Sequence, residues 1–314
     1  MNPVKNILLV ISIGRDHSQA LKRAKELAKK NQASLSVVAV VTPPPGYTLL
    51  SKTNSSFKNL LDEEIAHTRE RLGDLCDGDI RSDVLVGKTD LEIVREVERN
   101  GHDLVLKSCE ETRGIKSALF GSVDMNLMRK CPCPVLIAKP SPQEHFGMIV
   151  AAVDRDDDSP ENHLLNLRIL ELSSWLALAE SGELHIVHAW TMPFESLLRS
   201  PRGSFSKEEV DAMANKEEAG RILWLRDLLD EFAKENKSAI DYLSPQIHTI
   251  KGSASFQIPE KLRELNADLI VMGTVGRVGV QGLMMGNTSE AILQNAECSG
   301  LTVKPPGFQS PLSS

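Results

Sequence analysis

The residues best suited to bind a ligand form a glycine-rich segment late in the chain. The run 268–272 leads into Gly273-Thr274-Val275-Gly276, and after nine further residues Gly286-Asn287-Thr288 opens a helical pattern. Glycines let backbone N–H groups approach phosphate oxygens, and a helix N-terminus adds unpaired donors and the positive end of its dipole. Asp154 follows an earlier apolar run and is placed to accept hydrogen bonds from a ribose. This pattern predicts a nucleotide site. The alternative is that the glycines only let the strand and the helix pack closely, and Asp154 and the repeat favour the ligand site.

The predicted ligand contacts are the residues of this loop and those at the ends of neighbouring apolar runs: Asp154, Val187, Met272, Gly273, Thr274, Gly276, Arg277, Gly286, Asn287 and Thr288. Thr274, Arg277 and Thr288 carry hydrogen-bond donors for phosphate. The sequence contains no Gly-x-Ser-x-Gly elbow and no cysteine paired with a histidine and an orienting third group. We therefore predict binding without catalysis.

Metal binding is not predicted. Cys131 and Cys133 are the one close cysteine pair, and no second pair with metal-ligand spacing follows them. His185 and His188 lie three apart on a predicted strand, which sends their side chains to opposite faces. We interpret the two cysteines as ordinary thiols and expect no metal at either pair.

The composition is typical of a globular protein with two domains of ordinary size. The chain has 314 residues, of which 41% are apolar and 25% charged, and its net charge is −7. This acidic balance disfavours nucleic acid as a partner. No stretch reaches the ~20 apolar residues of a membrane span. With no export signal and five scattered cysteines, we predict a cytoplasmic protein.

The two halves of the chain repeat each other. With a constant offset of 165 residues, Gly121 falls on Gly286 without a gap in the surrounding stretch. Near the start of each half the offset is 142, which places Ser12 on Asp154. The second copy therefore carries about 23 extra residues, which we place between residues 190 and 240.

Both copies alternate short apolar runs with amphipathic segments. Buried strands are predicted at 6–11, 35–41, 83–86, 104–106 and 134–138 in the first copy, and at 148–153, 184–189, 247–250, 268–272 and 301–303 in the second. Val, Ile and Leu dominate these runs, as in strands buried on both faces of a parallel sheet. Ser159-Pro160, and Ser206 with Glu209, are helix-start signals. The order indicates two tandem Rossmann-like, doubly wound α/β domains.

The repeat also sets the predicted domain boundaries. We expect domain 1 over 1–142, domain 2 over 147–306 and a C-terminal tail over 307–314. Residues 141–146 form a linker so short that the two copies should pack together.

The insertion in the second copy is partly apolar, with Phe194, Leu197, Leu198 and Phe205 ahead of a long helical pattern. We interpret these side chains as extra core. The alternative is that they wall an apolar pocket for an acyl-bearing or other amphiphilic ligand.

The spacing Gly273-x2-Gly276-x9-Gly286, with an aspartate after the first strand, resembles the ATP-binding pattern of the universal stress protein family. The segments 102–107, 127–132, 273–277 and 286–288 resemble its tandem, E-type branch, and the similarity in plan covers nearly the whole chain. The resemblance implies a five-stranded parallel sheet in each domain, a pseudo-twofold intramolecular dimer, cytoplasmic location and a stress-response role with ATP or a related nucleotide. It leaves open whether two such chains associate further and which proteins they meet.

The chain departs from the family pattern at informative positions. Asn287 stands where ATP-binding members carry Ser or Thr, and it either caps the helix or contacts the ligand. In the first copy Ser12 replaces the aspartate, while Ser108 and Glu111 replace the first two glycines. The glutamate opposes phosphate by like-charge repulsion. We predict that the first copy binds no ATP and serves as the built-in partner of the second.

Two functions follow from these observations. The first is a nucleotide-responsive stress protein in which domain 2 binds ATP or a related nucleotide with slow or no hydrolysis. The second is a scaffold that binds a protein or an amphiphile without using ATP. We favour the first because the glycine spacing and Asp154 occur together.

Overall fold

A computed structural model describes residues 4–47, 55–76, 80–109, 120–156, 159–200, 203–274 and 285–312. The described residues separate into two compact units. The first unit takes 4–144 together with 299–312, and the second takes 145–274 together with 286–298. Each unit is an α/β layer structure. The final strand of the chain thus belongs to the first unit, while the predicted domain boundaries stay a prediction.

The strands follow one another as β1 Asn6–Ile11, β2 Ser34–Val41, β3 Arg81–Val86, β4 Leu104–Ser108, β5 Val135–Ala138, β6 Met148–Ala152, β7 Glu183–Trp190, β8 Gln246–Lys251, β9 Leu269–Gly273 and β10 Ser299–Val303. The helices are α1 Ser18–Asn31, α2 Ser55–Leu75, α3 Thr89–Asn100, α4 Ser122–Lys130, α5 Pro160–Glu180, α6 Glu195–Leu198, α7 Lys207–Leu243, α8 Ala254–Glu264 and α9 Asn287–Asn295. The predicted strands agree with these bounds to within a few residues.

Strand order places one switch point in each unit. The first unit runs β3-β2-β1-β4-β5 in parallel, and β10 pairs antiparallel with β5. The second unit runs β9-β6-β7-β8, also in parallel. In each case the first strand of the repeat lies between the second and the fourth, so the chain reverses direction across the sheet at that point. Doubly wound sheets bind ligands at the carboxyl ends of the strands there.

Burial explains why these runs form strands. Ile7, Leu8 and Leu9 of β1 and Ile149 and Val150 of β6 are all fully buried. Consecutive buried residues on a strand must face both sides of the sheet, which requires helices on both faces. The apolar runs in the sequence therefore coincide with the central strands of the sheet.

Local capping signals fix two helix starts. Ser159 caps α5 by accepting a hydrogen bond from the Asn162 backbone N–H at 3.2 Å. Ser206 and Glu209 form a reciprocal capping box at the start of α7, with bonds of 3.2 and 2.7 Å. Both starts agree with the sequence prediction, because such caps depend only on residues within one turn.

The insertion in the second repeat is divided between two places, so its predicted location is wrong in part. The offset is 142 between the starts of β1 and β6, 149 between β2 and β7, and 165 between β3 and β8. About a third of the extra residues therefore lengthen the first helix, which has 21 residues in α5 against 14 in α1. The rest lie between β7 and β8, mostly in the 37-residue α7.

The apolar residues of the insertion differ in burial. Phe194 is 76% exposed, Leu197 55% and Phe205 44%, so the interpretation of these three as core is wrong. In α7, by contrast, Leu228 and Phe232 are buried. The long helix supplies the extra core, and the segment before it does not.

The predicted linker is anchored along its length. Within the first unit, Gln19 of α1 donates to the carbonyls of Ser141 and Gln143, and Arg23 donates to Glu144 O at 2.7 Å. Within the second unit, Phe146 is buried. The connecting residues are therefore fixed by α1 at one end and by burial at the other.

Candidate functional site

The carboxyl ends of β6 and β9 bring the predicted ribose and phosphate contacts together. The two strands are parallel neighbours, with Ala152 opposite Met272. Asp154 lies two residues past the end of β6, and Thr274 directly follows β9. Asp154 is exposed at this edge. The switch point of the second unit thus has an acidic residue at the end of β6, next to the strand that ends at Gly273.

Asn166 of α5 fixes the backbone of Asp154 and was missed by sequence reasoning. Its Oδ1 accepts from Asp154 N at 3.2 Å, and its Nδ2 donates to Asp154 O at 2.6 Å. Asn166 is 2% exposed. An amide on the buried face of a helix is the signal that could have identified it, because buried polar groups are retained where they have partners.

Gly273 lies where β9 packs closely against Leu165 of α5. A Cβ at this position would lie 2.6 Å from Leu165 Cδ2. The carbonyl of Gly273 accepts from Ser289 Oγ at 3.0 Å, and that of Thr274 accepts from Gly286 N at 2.9 Å. These bonds attach the start of α9 to the end of β9, where a phosphate would meet the helix.

The N-terminus of α9 presents polar side chains to solvent. Gly286 is the N-cap residue, and Asn287 is the first residue of the helix. The interpretation of Asn287 as the cap is therefore wrong by one residue. Asn287 and Thr288 are exposed at the end of the helix that carries the positive end of the dipole. Their exposure leaves both side chains accessible to an anionic ligand.

The remaining predicted contacts are buried or lie elsewhere. Val187 and Met272 are buried, and Val187 O accepts from Val153 N at 3.0 Å. Thr274, which was predicted to donate to phosphate, is also fully buried. Gly276 and Arg277 lie outside the described residues.

In the first unit a buried ion pair lies at the corresponding helix start. Lys107 Nζ contacts Asp124 Oδ1 at 2.8 Å, and both side chains are almost fully buried. Asp124 Oδ2 accepts from Gly121 N at 3.0 Å, and Lys107 donates to Ser108 O at 3.1 Å. The start of α4 therefore already faces a carboxylate from its own chain. Burial raises the pKa of the neighbouring Cys109 thiol to about 12.

The second repeat carries neutral residues at the same two positions. Met272 aligns with Lys107 and Ser289 with Asp124, at the constant offset of 165. The switch point of the first unit is further filled by His17, whose Nε2 lies 3.0 Å from Ser12 N. Glu111, on which the like-charge argument rests, lies outside the described residues.

The thiols and histidines considered for metal binding have protein partners. Cys131 and Cys133 are buried with their Sγ atoms 3.6 Å apart. His185 Nδ1 lies 2.9 Å from His248 Nε2, whereas His188 Nδ1 lies 3.1 Å from Val153 O. Within the described ranges, no group of three or more His, Cys, Asp or Glu side chains could hold an ion.

The comparisons with known proteins identify the family of this fold and site. The universal stress protein family model matches residues 3–139 and again residues 145–304. The chain belongs to the universal stress protein family, as a tandem member with two family domains. Membership of this family supports a role in the stress response.

The similarity to individual relatives extends over nearly the whole chain. Universal stress protein E of Photorhabdus laumondii is 27% identical over 98% of this chain and 97% of its own length. The protein of that name from Escherichia coli K12 is also 27% identical, over 98% and 96%. These matches agree with the predicted E-type tandem organisation.

Solved structures show the same fold. A functionally unknown protein from Pseudomonas aeruginosa PAO1 is 25% identical with a TM-score of 0.68, covering 98% of this chain and 95% of its own. A putative universal stress protein from Pseudomonas aeruginosa UCBPP-PA14 is 23% identical with a TM-score of 0.67 and the same coverage. The predicted tandem α/β fold is confirmed.

Among the helices of the described residues, none combines the length and the apolar composition of a membrane span.

Proposed function

We propose that the second repeat binds ATP or a related nucleotide and that the chain acts as a non-catalytic, cytoplasmic, nucleotide-responsive stress protein. The observation that supports this proposal is the convergence of Asp154, the end of β9 at Gly273 and the start of α9 at one switch point. Two of these groups have a direct partner on a nucleotide: the carboxylate accepts from ribose hydroxyls, and the start of α9 donates to phosphate.

The first repeat is the unliganded partner in this proposal. Its helix start is already occupied, because Gly121 N donates to Asp124, and a phosphate there would have to displace this carboxylate from Lys107. One nucleotide per chain is therefore expected. A nucleotide bound at the second site would connect β6, β9 and α9 and shift the balance between conformations of that unit.

A charge substitution at the first residue of α9 tests the proposal without harming the fold. In Asn287→Asp the new carboxylate stabilises the helix by about 0.3–1 kcal/mol through the dipole but repels phosphate. We expect ATP occupancy, measured by native mass spectrometry during titration, to fall at least tenfold. Ser122→Asp makes the same change at the aligned first residue of α4 and should leave occupancy unchanged.

The titration also separates this function from its alternative. A wild-type chain that takes up no nucleotide, or an Asn287→Asp chain that binds ATP as before, would contradict the proposal. The exposed Phe194, Leu197 and Phe205 favour an interaction scaffold as the second candidate. Loss of a co-purified protein or amphiphile in a Phe194→Ser variant, with no bound nucleotide in either protein, would establish that candidate instead.

A further inference from the structure

A cavity in the first unit lies at the end of the sheet opposite the nucleotide-type switch point. It has a volume of about 540 Å³ and lies at the amino ends of β1, β2 and β3. That volume is within the range of about 300–1,000 Å³ found for ligand pockets. Its polar lining includes Asn6, Lys25, Ser34, Arg81, Asn100 and His102.

The described lining of the cavity contains two basic side chains and no acidic one. Lys25 and Arg81 contribute two cations, and none of the described lining residues is Asp or Glu. This contrasts with the net charge of −7 for the whole chain. A concave surface lined by one sign of charge concentrates ligands of the opposite sign. The cavity therefore favours an anion.

A buried polar cluster behind the wall holds Arg81 in place. Arg81 donates to Asn100 Oδ1 at 3.1 Å, and its other terminal nitrogen lies 3.8 Å from Glu96 Oε1. Glu96 is 2% exposed and accepts from Asn100 Nδ2 at 2.7 Å. His102 Nδ1 lies 2.9 Å from Asn6 Oδ1. A guanidinium held on two sides loses less rotamer freedom when an anion binds.

One nitrogen of this cluster makes only a long polar contact. His102 Nε2 is buried and has no hydrogen-bond partner among the described residues, and Glu96 Oε1 is 3.7 Å away. Buried polar groups usually have a closer partner, so packing alone does not explain this cluster.

The second repeat shows that the fold does not require the cluster. At the aligned positions Met148 replaces Asn6, Gln246 replaces Arg81 and Ala267 replaces His102. The backbone is nevertheless the same, because His102 N donates to Val97 O and Ala267 N donates to Leu262 O. The polar residues are therefore a property of the first repeat and not of the architecture.

We propose that this cavity is a binding site for a small organic anion, a carboxylate or a phosphate ester, whose negative group pairs with Arg81 and Lys25. The site gives the first repeat a ligand of its own, although its switch point is closed by the Lys107–Asp124 pair. It is independent of nucleotide binding in the second repeat.

Ring-labelled histidine provides the test, because His102 lines the cavity and its NMR signal can be assigned from its loss in His102→Ala. Inorganic phosphate and succinate are the probes, titrated separately at constant pH and constant ionic strength. We expect a saturable shift of the His102 signal with a Kd of ~1 mM or below for at least one probe. The tighter probe identifies the anion as phosphate or carboxylate.

Two arginine variants decide whether the cavity is responsible. Arg81→Gln copies the second repeat and should weaken binding about tenfold or more, which corresponds to the loss of one charge-assisted contact. Arg99→Gln removes another exposed arginine, 3.6 Å from Glu96, that does not line the cavity, and should bind as the wild type does. Absence of saturable binding by both probes, or equal weakening in the two variants, would overturn the proposal.

Discussion

The Asp124→Ser variant should lose about 3–5 kcal/mol of unfolding free energy, because it leaves the Lys107 ammonium buried without its carboxylate. Both side chains are almost inaccessible, at 3% and 0% exposure. Asp124 also caps α4 through Gly121 N, so the variant loses a helix cap at the same time. Hydrogen exchange measured by mass spectrometry on peptides from β4 and α4 reports the loss within the first unit.

The matched control is a double variant that carries the residues of the second repeat at both positions. Lys107→Met with Asp124→Ser copies Met272 and Ser289, which occupy the same places without any charge. Replacing a buried pair by residues of similar size is often neutral. The double variant should therefore recover most of the exchange protection. A single variant that costs under ~1 kcal/mol would show that Lys107 finds another partner, and would contradict this account of the pair.

Tryptophan fluorescence supplies an internal reference for the same experiment. Trp175, Trp190 and Trp224 all lie in the second unit. Far-UV circular dichroism follows both units, whereas fluorescence follows the second alone. Any part of the circular dichroism transition of Asp124→Ser that precedes the fluorescence transition is then assigned to unfolding of the first unit.

The strands could be predicted because their signal is local and strong. The runs at 6–11 and 104–106 are apolar on both faces, which is typical of the central strands of a parallel sheet covered by helices on both sides. The start of α7 was equally accessible, since Ser206 and Glu209 interact within one turn.

The division of the insertion could not be predicted from the repeat alone. Seven further residues in α5 continue an existing helical pattern, so they leave no turn signal that would mark a gap. The exposure of Phe194 and Phe205 was missed for a related reason. Apolar type predicts burial on average, but a short segment between two elements can face solvent.

The polar residues of the two switch points also show what sequence alone could and could not predict. Asp154 and the glycine turn were found because their types match a ligand directly. Asn166 and the Lys107–Asp124 pair act on other parts of the chain, and their roles depend on which helix packs against which strand end. A lysine directly after the buried run 104–106 was a visible signal, but its partner 17 residues later could only be found in three dimensions.

Replacing Lys304 by methionine should change the pH dependence of stability. Lys304 is 7% exposed and donates to Met128 O at 2.8 Å, while burial lowers its pKa to about 7. Nearby, Arg129 lowers the pKa further, and Cys131 opposes the shift. In the unfolded chain the pKa of this lysine returns to about 10.4. The unfolded state therefore binds the proton more strongly between pH 7 and pH 10.

The sign of the effect follows from this difference. As the pH rises from 7, the folded protein releases the proton first, so the wild type gains about 1.4 kcal/mol of unfolding free energy per pH unit from this group. The Lys304→Met variant lacks this pH-dependent increase in unfolding free energy. It should be more stable than the wild type at pH 6.5 by about 1–4 kcal/mol, because it buries no charge. That advantage should shrink by about 2–3 kcal/mol at pH 9.

Denaturant titrations of both proteins at pH 6.5, 7.5 and 9 measure this change, because titrations shared by the two chains cancel in the difference. Lys234→Met, at an exposed position of α7, is the control and should show a difference that is small and independent of pH. A constant difference between Lys304→Met and the wild type would mean that Lys304 keeps its proton when folded. In that case Met128 O and the nearby Phe308 ring would have to stabilise a buried ammonium, and the lysine would contribute to stability across the whole range.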